Sequence, residues 1–426
     1  MKYQTFDYDG YKIFTIQTDK FKNCFIEVNF REDVRNLSMA KRNFLNELMQ
    51  YTSAKYPTKR EMKIAQEELY NITYQTAVAR VGYNFFSSFS LDLLDPKYIK
   101  EENYLEECIK FLSEMILKPD MKDKIWNERS FEIIKERILV SIDNYKEKPT
   151  SFAGVDSKNR LFKDSIQSKM IVGSKEEVLE IKKEDLYQEY VDMFANSHCE
   201  ILVIGNLDMT EVVSLIRKYF KKTSIVLDKI PFEISMKIFP KKDEIVESKY
   251  KQTQLLKYYS FDKLTEYEKY YIAPIFRRIL SSADMTDKLT TYLREENALC
   301  YFCGAVFQVK ESYAFLYTGL NYQNVSKALE KMDLAIDEML KGKIALDYFE
   351  KQKEKCLADL KLHEDNMYEL IDNYYFHEIS GRPTFEDYRN VVSSIKIKDL
   401  QAFAKKMHPV YLYILKEGET DGNNRD

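Results

Sequence analysis

From Phe21 to Phe30 the residues sort onto two faces, with Cys24, Ile26 and Val28 on one side and Phe25, Glu27 and Asn29 on the other. A period of two with unequal faces predicts a half-buried strand. The pattern then changes. From Glu101 to Met115 and from Lys122 to Ile142 apolar residues recur at three and four, including Ile125, Phe131, Ile134, Ile138 and Ile142. That spacing gives amphipathic helices with one buried stripe. Short apolar runs, Glu200 to Gly205 and Val410 to Leu415, read as further strands. Each half therefore runs strands, helices, strands, which predicts an α+β sandwich of mixed, mostly antiparallel sheet with helices on one side.

The chain repeats itself. Ile181-Lys182-Lys183-Glu184-Asp185-Leu186 returns as Ile395-Lys396-Ile397-Lys398-Asp399-Leu400, and each copy precedes a helix and one of those two strands. Glu114-Met115-Ile116-Leu117-Lys118 and its long charged helix match Glu338-Met339-Leu340-Lys341 and the helix running to about His363. Phe44 to Phe89 can be laid on Pro274 to Leu316. A period of roughly 210 to 230 residues is too long for a solenoid and suits two duplicated domains. The expected division is 1–222, a linker and entry strand over 223–249 containing Pro231 and Pro240, and 250–426. Residues 418–426 read as a frayed end.

Composition narrows the function. With 426 residues, 45% of them apolar, the chain can bury two cores. A net charge of −4 leaves no basic footprint for nucleic acid. The acid-bearing start from Met1 to Asp9 has no apolar stretch of a signal peptide, and no run approaches a membrane span, so a cytoplasmic protein is expected. The six cysteines are scattered without a disulfide framework.

Candidate chemistry is sparse. The four histidines, His198, His363, His377 and His408, lie too far apart for any helix to offer two to one metal ion. Eleven glycines leave little material for a phosphate loop or a dinucleotide fingerprint, and neither is present. Cys300 and Cys303 form a C-x-x-C, but on a strand positions three apart point to opposite faces, which makes them two small core residues.

Two segments carry more. Lys41-Arg42-Asn43-Phe44-Leu45-Asn46-Glu47-Leu48-Met49 reads as a helix with polar residues at 43, 46 and 47. Leu293-Arg294-Glu295-Glu296-Asn297-Ala298-Leu299-Cys300-Tyr301 sets an Arg and a Tyr seven apart. Together with the duplication, with Ala54-Lys55-Tyr56-Pro57-Thr58, Leu69-Tyr70-Asn71, Val81-Gly82-Tyr83 and the stretch from Ser282 to Leu293, they resemble the insulinase/pitrilysin clan of zinc peptidases. The resemblance covers nearly the whole chain and is nearest to the small two-domain bacterial branch with a degenerate zinc motif, the YmfF-like members.

In active members a helix carries His-x-x-Glu-His: two zinc ligands and the base that deprotonates a zinc-bound water, while the metal polarises the scissile carbonyl. The resemblance puts the ligand positions on Asn43 and Glu47 and the base position on Asn46. These still share one helical face, but Asn is a poor zinc ligand and cannot take the water's proton. A third ligand position falls near Lys135 or Glu136. Arg294 and Tyr301 match the clan's second signature, which grips substrate backbone at the scissile bond, although Ser281 and Ser282 stand where glycines usually precede that helix. An edge strand over Tyr74, Gln75, Thr76, Ala77, Val78 and Ala79 would take up peptide by β-addition.

The resemblance thus implies a peptide-binding chain without a zinc site of its own. Zinc is expected in a partner, a zinc-binding peptidase homologue of similar size, as in two-chain members where one subunit supplies the metal and the other the Arg/Tyr pair. A peptide-binding scaffold or homodimer, for example in peptide natural-product maturation, is the alternative.

Overall fold

The computed structural model describes residues 1–8, 10–221, 228–235, 238–282 and 285–418. Residues 222–227 and 236–237 of the expected linker, 283–284 of the segment leading to Leu293, and 419–426 of the expected frayed end lie outside the described residues.

The strands are β1 (Lys2–Tyr8), β2 (Tyr11–Gln17), β3 (Asn23–Asp33), β4 (Thr73–Val81), β5 (Asn84–Leu94), the short hairpin β6 (Met121–Lys122) and β7 (Ile125–Trp126), β8 (His198–Gly205), β9 (Glu244–Glu247), β10 (Thr253–Phe261), β11 (Cys300–Gln308), β12 (Tyr313–Leu320) and β13 (Met407–Lys416). They form a six-stranded sheet in the order β1-β2-β8-β3-β5-β4 and a five-stranded sheet in the order β9-β13-β10-β12-β11. Both are antiparallel except at one place, β2 with β8 and β9 with β13. Strand for strand, the second order repeats the first without β1. The duplication read from the sequence is a duplication of topology, and β4 and β11 are equivalent edges.

The chain divides into two compact units that are not contiguous: 1–143, 170–232 and 365–380 in the first, 144–169, 233–364 and 381–426 in the second. This differs from the division at 222 and 250. The helix Pro149–Leu161 belongs with the second unit and the helix Met367–Ser380 with the first. In each half this is the helix that follows a long charged one, Glu128–Glu147 or Leu346–Glu364.

The reason lies in the second face of each sheet. In the first unit Cys24, Ile26, Val28 and Phe30 of β3 enter the main core with helices Met39–Met49 (α1) and Tyr104–Leu117. The alternate positions carry Phe25, Glu27, Asn29 and Arg31, which also need cover. Helix Met367–Ser380 supplies it: Tyr368 meets Phe25 edge-on at 5.0 Å and Tyr375 meets Phe14 at 5.2 Å. Arg31 pairs with Glu200 at 2.6 Å and donates to Asn84 at 2.9 Å, and Tyr375 donates to the same Glu200. In the second unit Leu255 and Tyr259 face one core, while Leu256 and Tyr258 face another that includes Ala153 and Phe162. There the Tyr258 and Ser157 hydroxyls lie 2.7 Å apart, and Tyr413 donates to Asp156 at 2.7 Å. A helical layer on one side only, as the pattern suggested, would leave these inner polar and aromatic rows open.

Two outcomes follow from the first unit's second face. Glu200→Ala strands the Arg31 guanidinium, whose side chain is 8% exposed, and should cost about 3–5 kcal/mol in chemical denaturation; a loss within error of zero would contradict the packing. Glu27 accepts from Asn29 at 2.8 Å, and its carboxyl is pushed up to about 7, first by burial, then by Asp372 and Asp92. A raised carboxyl favours the fold while protonated, so this contribution is lost as pH rises from the ordinary range through about 7. Glu27→Gln should gain stability relative to the parent at pH 8 but not at pH 4, and equal effects at both would contradict it.

Candidate functional site

Helix α1 starts at Ser38, whose hydroxyl caps the Lys41 N–H at 3.3 Å. Phe44, Leu45, Leu48 and Met49 go into the core, yet Arg42, Asn43 and Asn46 are buried as well. Their partners explain why. Arg42 is held by Glu32 at 2.6 and 2.8 Å and by Glu189 at 2.9 Å. Asn46 faces the edge strand: its amide donates to the Ala77 carbonyl at 2.9 Å, and its own carbonyl accepts from the Thr76 hydroxyl at 3.0 Å. Tyr74 donates to the Met49 carbonyl at 3.1 Å. Three hydrogen bonds thus pin β4 to α1, and they run through Tyr74, Thr76 and Ala77 of the expected peptide-binding strand. Gln75, Ala77 and Ala79 are exposed, Thr76 and Val78 half-buried, and Tyr74 buried.

Glu47 is paired with Arg137 of the helix Glu128–Glu147. The same guanidinium donates to the Tyr51 hydroxyl and lies over that ring at 4.8 Å, while the Lys59 ammonium lies 4.1 Å from the ring centre. Burial pulls the Arg137 pKa below its ordinary value, though an arginine stays charged at any physiological pH. The side chain that reaches the degenerate site is therefore Arg137, not Lys135 or Glu136. Lys135 donates to the Leu179 and Ile181 carbonyls at 2.8 and 3.1 Å, and Glu136 is exposed. The family resemblance marked this turn of the helix but not which residue of it turns inward.

These residues do not fit zinc. The Asn46 amide nitrogen is spent on Ala77, the Glu47 carboxylate on a guanidinium, and a cation already stands where a metal would need carboxylate charge. Among the described residues no cluster of three or more His, Cys, Asp or Glu is arranged to hold a metal ion. The histidines stay apart: His198 lies 3.1 Å from the Asp228 carbonyl, His363 stacks on Phe385, and His408 pairs with Asp262 at 2.9 Å. A cavity of about 750 Å³ opens near the start of α1 beside Ser38, Arg42, Glu189 and His198, but Asn43, Asn46 and Glu47 do not line it.

Arg294 and Tyr301 belong to the second unit. Arg294 lies in a wide helical turn, Thr291–Glu295, that reverses at Ala298, whose φ is +49°. Its exposed guanidinium pairs with the neighbouring Glu295 at 3.3 Å, an ion pair that contributes little in water. Tyr301 is on edge strand β11. Cys300 pairs with Leu320 and Phe302 with Gly319, so Tyr301 is an extra residue, a β-bulge. Its side chain is 88% exposed.

The bulge also corrects the reading of the cysteines. Beyond it, Cys303, Ala305 and Phe307 face the core, while Phe302 lies over Gly319 on the other side, where an added Cβ would meet its ring at 2.4 Å. The extra residue shifts the phase by one, so Cys300 and Cys303 share a face. A hydrogen bond from Cys303 pulls the Cys300 thiol down to about 7 against burial, helped by the Thr318 hydroxyl and the Arg294 charge; the Cys303 thiol is pushed up correspondingly. No residue type in this segment announces a bulge, so strict alternation was the wrong rule to apply.

Comparison with known proteins accords with this geometry. A family model described as the peptidase M16 inactive domain matches residues 180–356. The probable inactive metalloprotease YmfF of Bacillus subtilis (strain 168) is 20% identical over 361 residues, 84% of this chain and 83% of that protein. Over those residues the chain is similar to inactive members of the M16, or insulinase/pitrilysin-type, peptidases. The fold of this chain is shared with a conserved protein of Enterococcus faecalis V583, at TM-score 0.90 and 21% identity over 99% of this chain and 100% of that one. It is shared too with a peptidase M16 inactive domain of Pseudomonas fluorescens, at TM-score 0.79 and 14% identity over 99% and 100%.

Arg137 gives the site its test. Asn43→His, Asn46→Glu and Glu47→His together rebuild His-x-x-Glu-His, but with Arg137 beside position 47 this triple variant should remain zinc-free by metal analysis. Adding Arg137→Glu should raise binding to about one zinc per chain. Tight zinc in the triple variant alone would show that the guanidinium is no obstacle.

Proposed function

We propose that this chain is the non-catalytic, substrate-binding subunit of a heterodimeric zinc peptidase that processes peptides, lending Arg294 and Tyr301 to a partner's zinc site. The observation that carries the reading is Tyr301: a large phenol, 88% exposed, thrust out of an edge strand by a bulge. An aromatic side chain left so bare has no packing role of its own. Arg294, seven residues earlier, is exposed as well and held by one weak ion pair. A guanidinium fork and a phenol are suited to gripping a peptide carbonyl and to stabilising charge that develops on it. The partner is a zinc-binding homologue of similar size, which brings the metal, and the pair works on peptide in the cytoplasm. No helix among the described residues is long and apolar enough to cross a membrane.

A second reading rests on β4. Gln75, Ala77 and Ala79 remain exposed along a sheet edge that α1 holds rigid. A rigid edge strand can bind an extended peptide without cutting it, and in this reading the chain, alone or as a homodimer, is a peptide-binding scaffold.

Co-expression with an M16 homologue that carries His-x-x-Glu-His separates the two. The first reading expects peptide cleavage by the pair, falling roughly 10²-fold in kcat for Arg294→Ala or Tyr301→Phe. Cleavage unchanged by both substitutions would remove the proposed role, and intact peptide in every combination would favour the scaffold.

A further inference from the structure

The bulge at Tyr301 brings Cys300 and Cys303 close enough to react with one another. Cys300 stands opposite Leu320 and Cys303 opposite Thr318, so three steps along β11 are matched by two along β12. At about 3.4 Å per residue the two α-carbons are then separated by about 7 Å rather than the roughly 10 Å of a regular strand. Disulfides bridge α-carbons up to about that distance. Both side chains lie on the core face of β11, and the Thr290 hydroxyl is 3.8 Å from the Cys303 sulfur. Elsewhere in the chain Cys24 and Cys108 are buried, and burial pushes both thiols up to about 12, which makes them inert. Cys300 is covered too, but its thiol is drawn down rather than up, a guanidinium is near, and it lies at the end of an edge strand.

We propose that Cys300 and Cys303 form a reversible oxidation site that takes a hydroperoxide as its oxidant and closes to a disulfide spanning Tyr301. The Cys300 thiolate attacks one peroxide oxygen, the O–O bond breaks, and hydroxide leaves to be protonated to water. This gives a sulfenic acid at Cys300. The Cys303 sulfur then gives up its proton to solvent and attacks the Cys300 sulfur. The S–O bond breaks and a second water departs. Two thiols and one peroxide yield one disulfide and two waters, a two-electron oxidation of the pair. A bridge at the long end of the permitted span is strained, so thiol reductants reopen it. Cys300 is small and nearly covered, at 8% exposure, which selects a compact oxidant over a bulky disulfide donor.

This inference does not depend on the peptidase reading, since it concerns the isolated chain and needs neither partner nor peptide. The reduced full-length protein is treated with one equivalent of hydrogen peroxide and digested with trypsin. Both cysteines fall on the one peptide spanning 295–310, which should lose about 2 Da and regain it with dithiothreitol. Cys303→Ser should stall the reaction at a sulfenic acid on Cys300 that dimedone captures, and Cys300→Ser should leave Cys303 unreacted at the same dose. Oxidation of other cysteines while this peptide stays unchanged would overturn the proposal. So would separate sulfinic acids on the two cysteines, each adding about 32 Da, with no bridged form.

Discussion

A half-buried carboxylate at position 47 must be given a cation, and in this chain Arg137 is that cation. The consequence reaches beyond one ion pair. A zinc site of the M16 type works by leaving ligand charge unsatisfied until the metal arrives. Here the charge is satisfied from within the fold, by a side chain whose ring contact with Tyr51 and hydrogen bond to its hydroxyl hold it in position. One turn along, Asn46 spends its amide on the edge strand. The helix that would present a reaction centre instead fastens α1 to β4. Its buried polar face is structural, and the geometry inherited with the fold persists without its chemistry.

Duplication makes the contrast sharper. β4 and β11 occupy the same place in the two sheet orders, at an open edge. The fold has treated them differently. β4 is drawn onto its neighbouring helix by three side-chain hydrogen bonds and keeps an even alternation. β11 is broken by a bulge that leaves a tyrosine in solvent and puts Cys300 and Cys303 on one face. An exposed edge is a hazard for aggregation, and bulges are one means by which proteins manage it. On β11 that same device sets an exposed tyrosine between two cysteines that share a face.

Much of the fold was legible in the sequence. The returning segment Ile395 to Leu400 exposed the duplication, and the alternation of Cys24, Ile26 and Val28 against Phe25, Glu27 and Asn29 described the two faces of β3 as the structure has them. What stayed hidden depends on contacts far apart in the chain. Helix Met367–Ser380 covers the first unit's sheet although it follows the second unit's strands, and no local pattern states which of two equivalent sheets a helix will join. Arg137 sits one residue beyond the pair to which the family resemblance pointed, because a distant resemblance fixes a turn of helix more firmly than a single side chain. The C-x-x-C was misjudged because one inserted residue reverses every later side chain, and Tyr301 carries no mark of being that residue.

The central claim is that Asn43, Asn46 and Glu47, with Arg137 already paired to Glu47, do not make a zinc site. It is tested most directly by measuring zinc content and peptide hydrolysis on the same preparation of the purified single chain, after dialysis against zinc and then against buffer. The account predicts negligible bound zinc and no hydrolysis above the buffer control. Stoichiometric zinc together with cleavage that a chelator abolishes would contradict it.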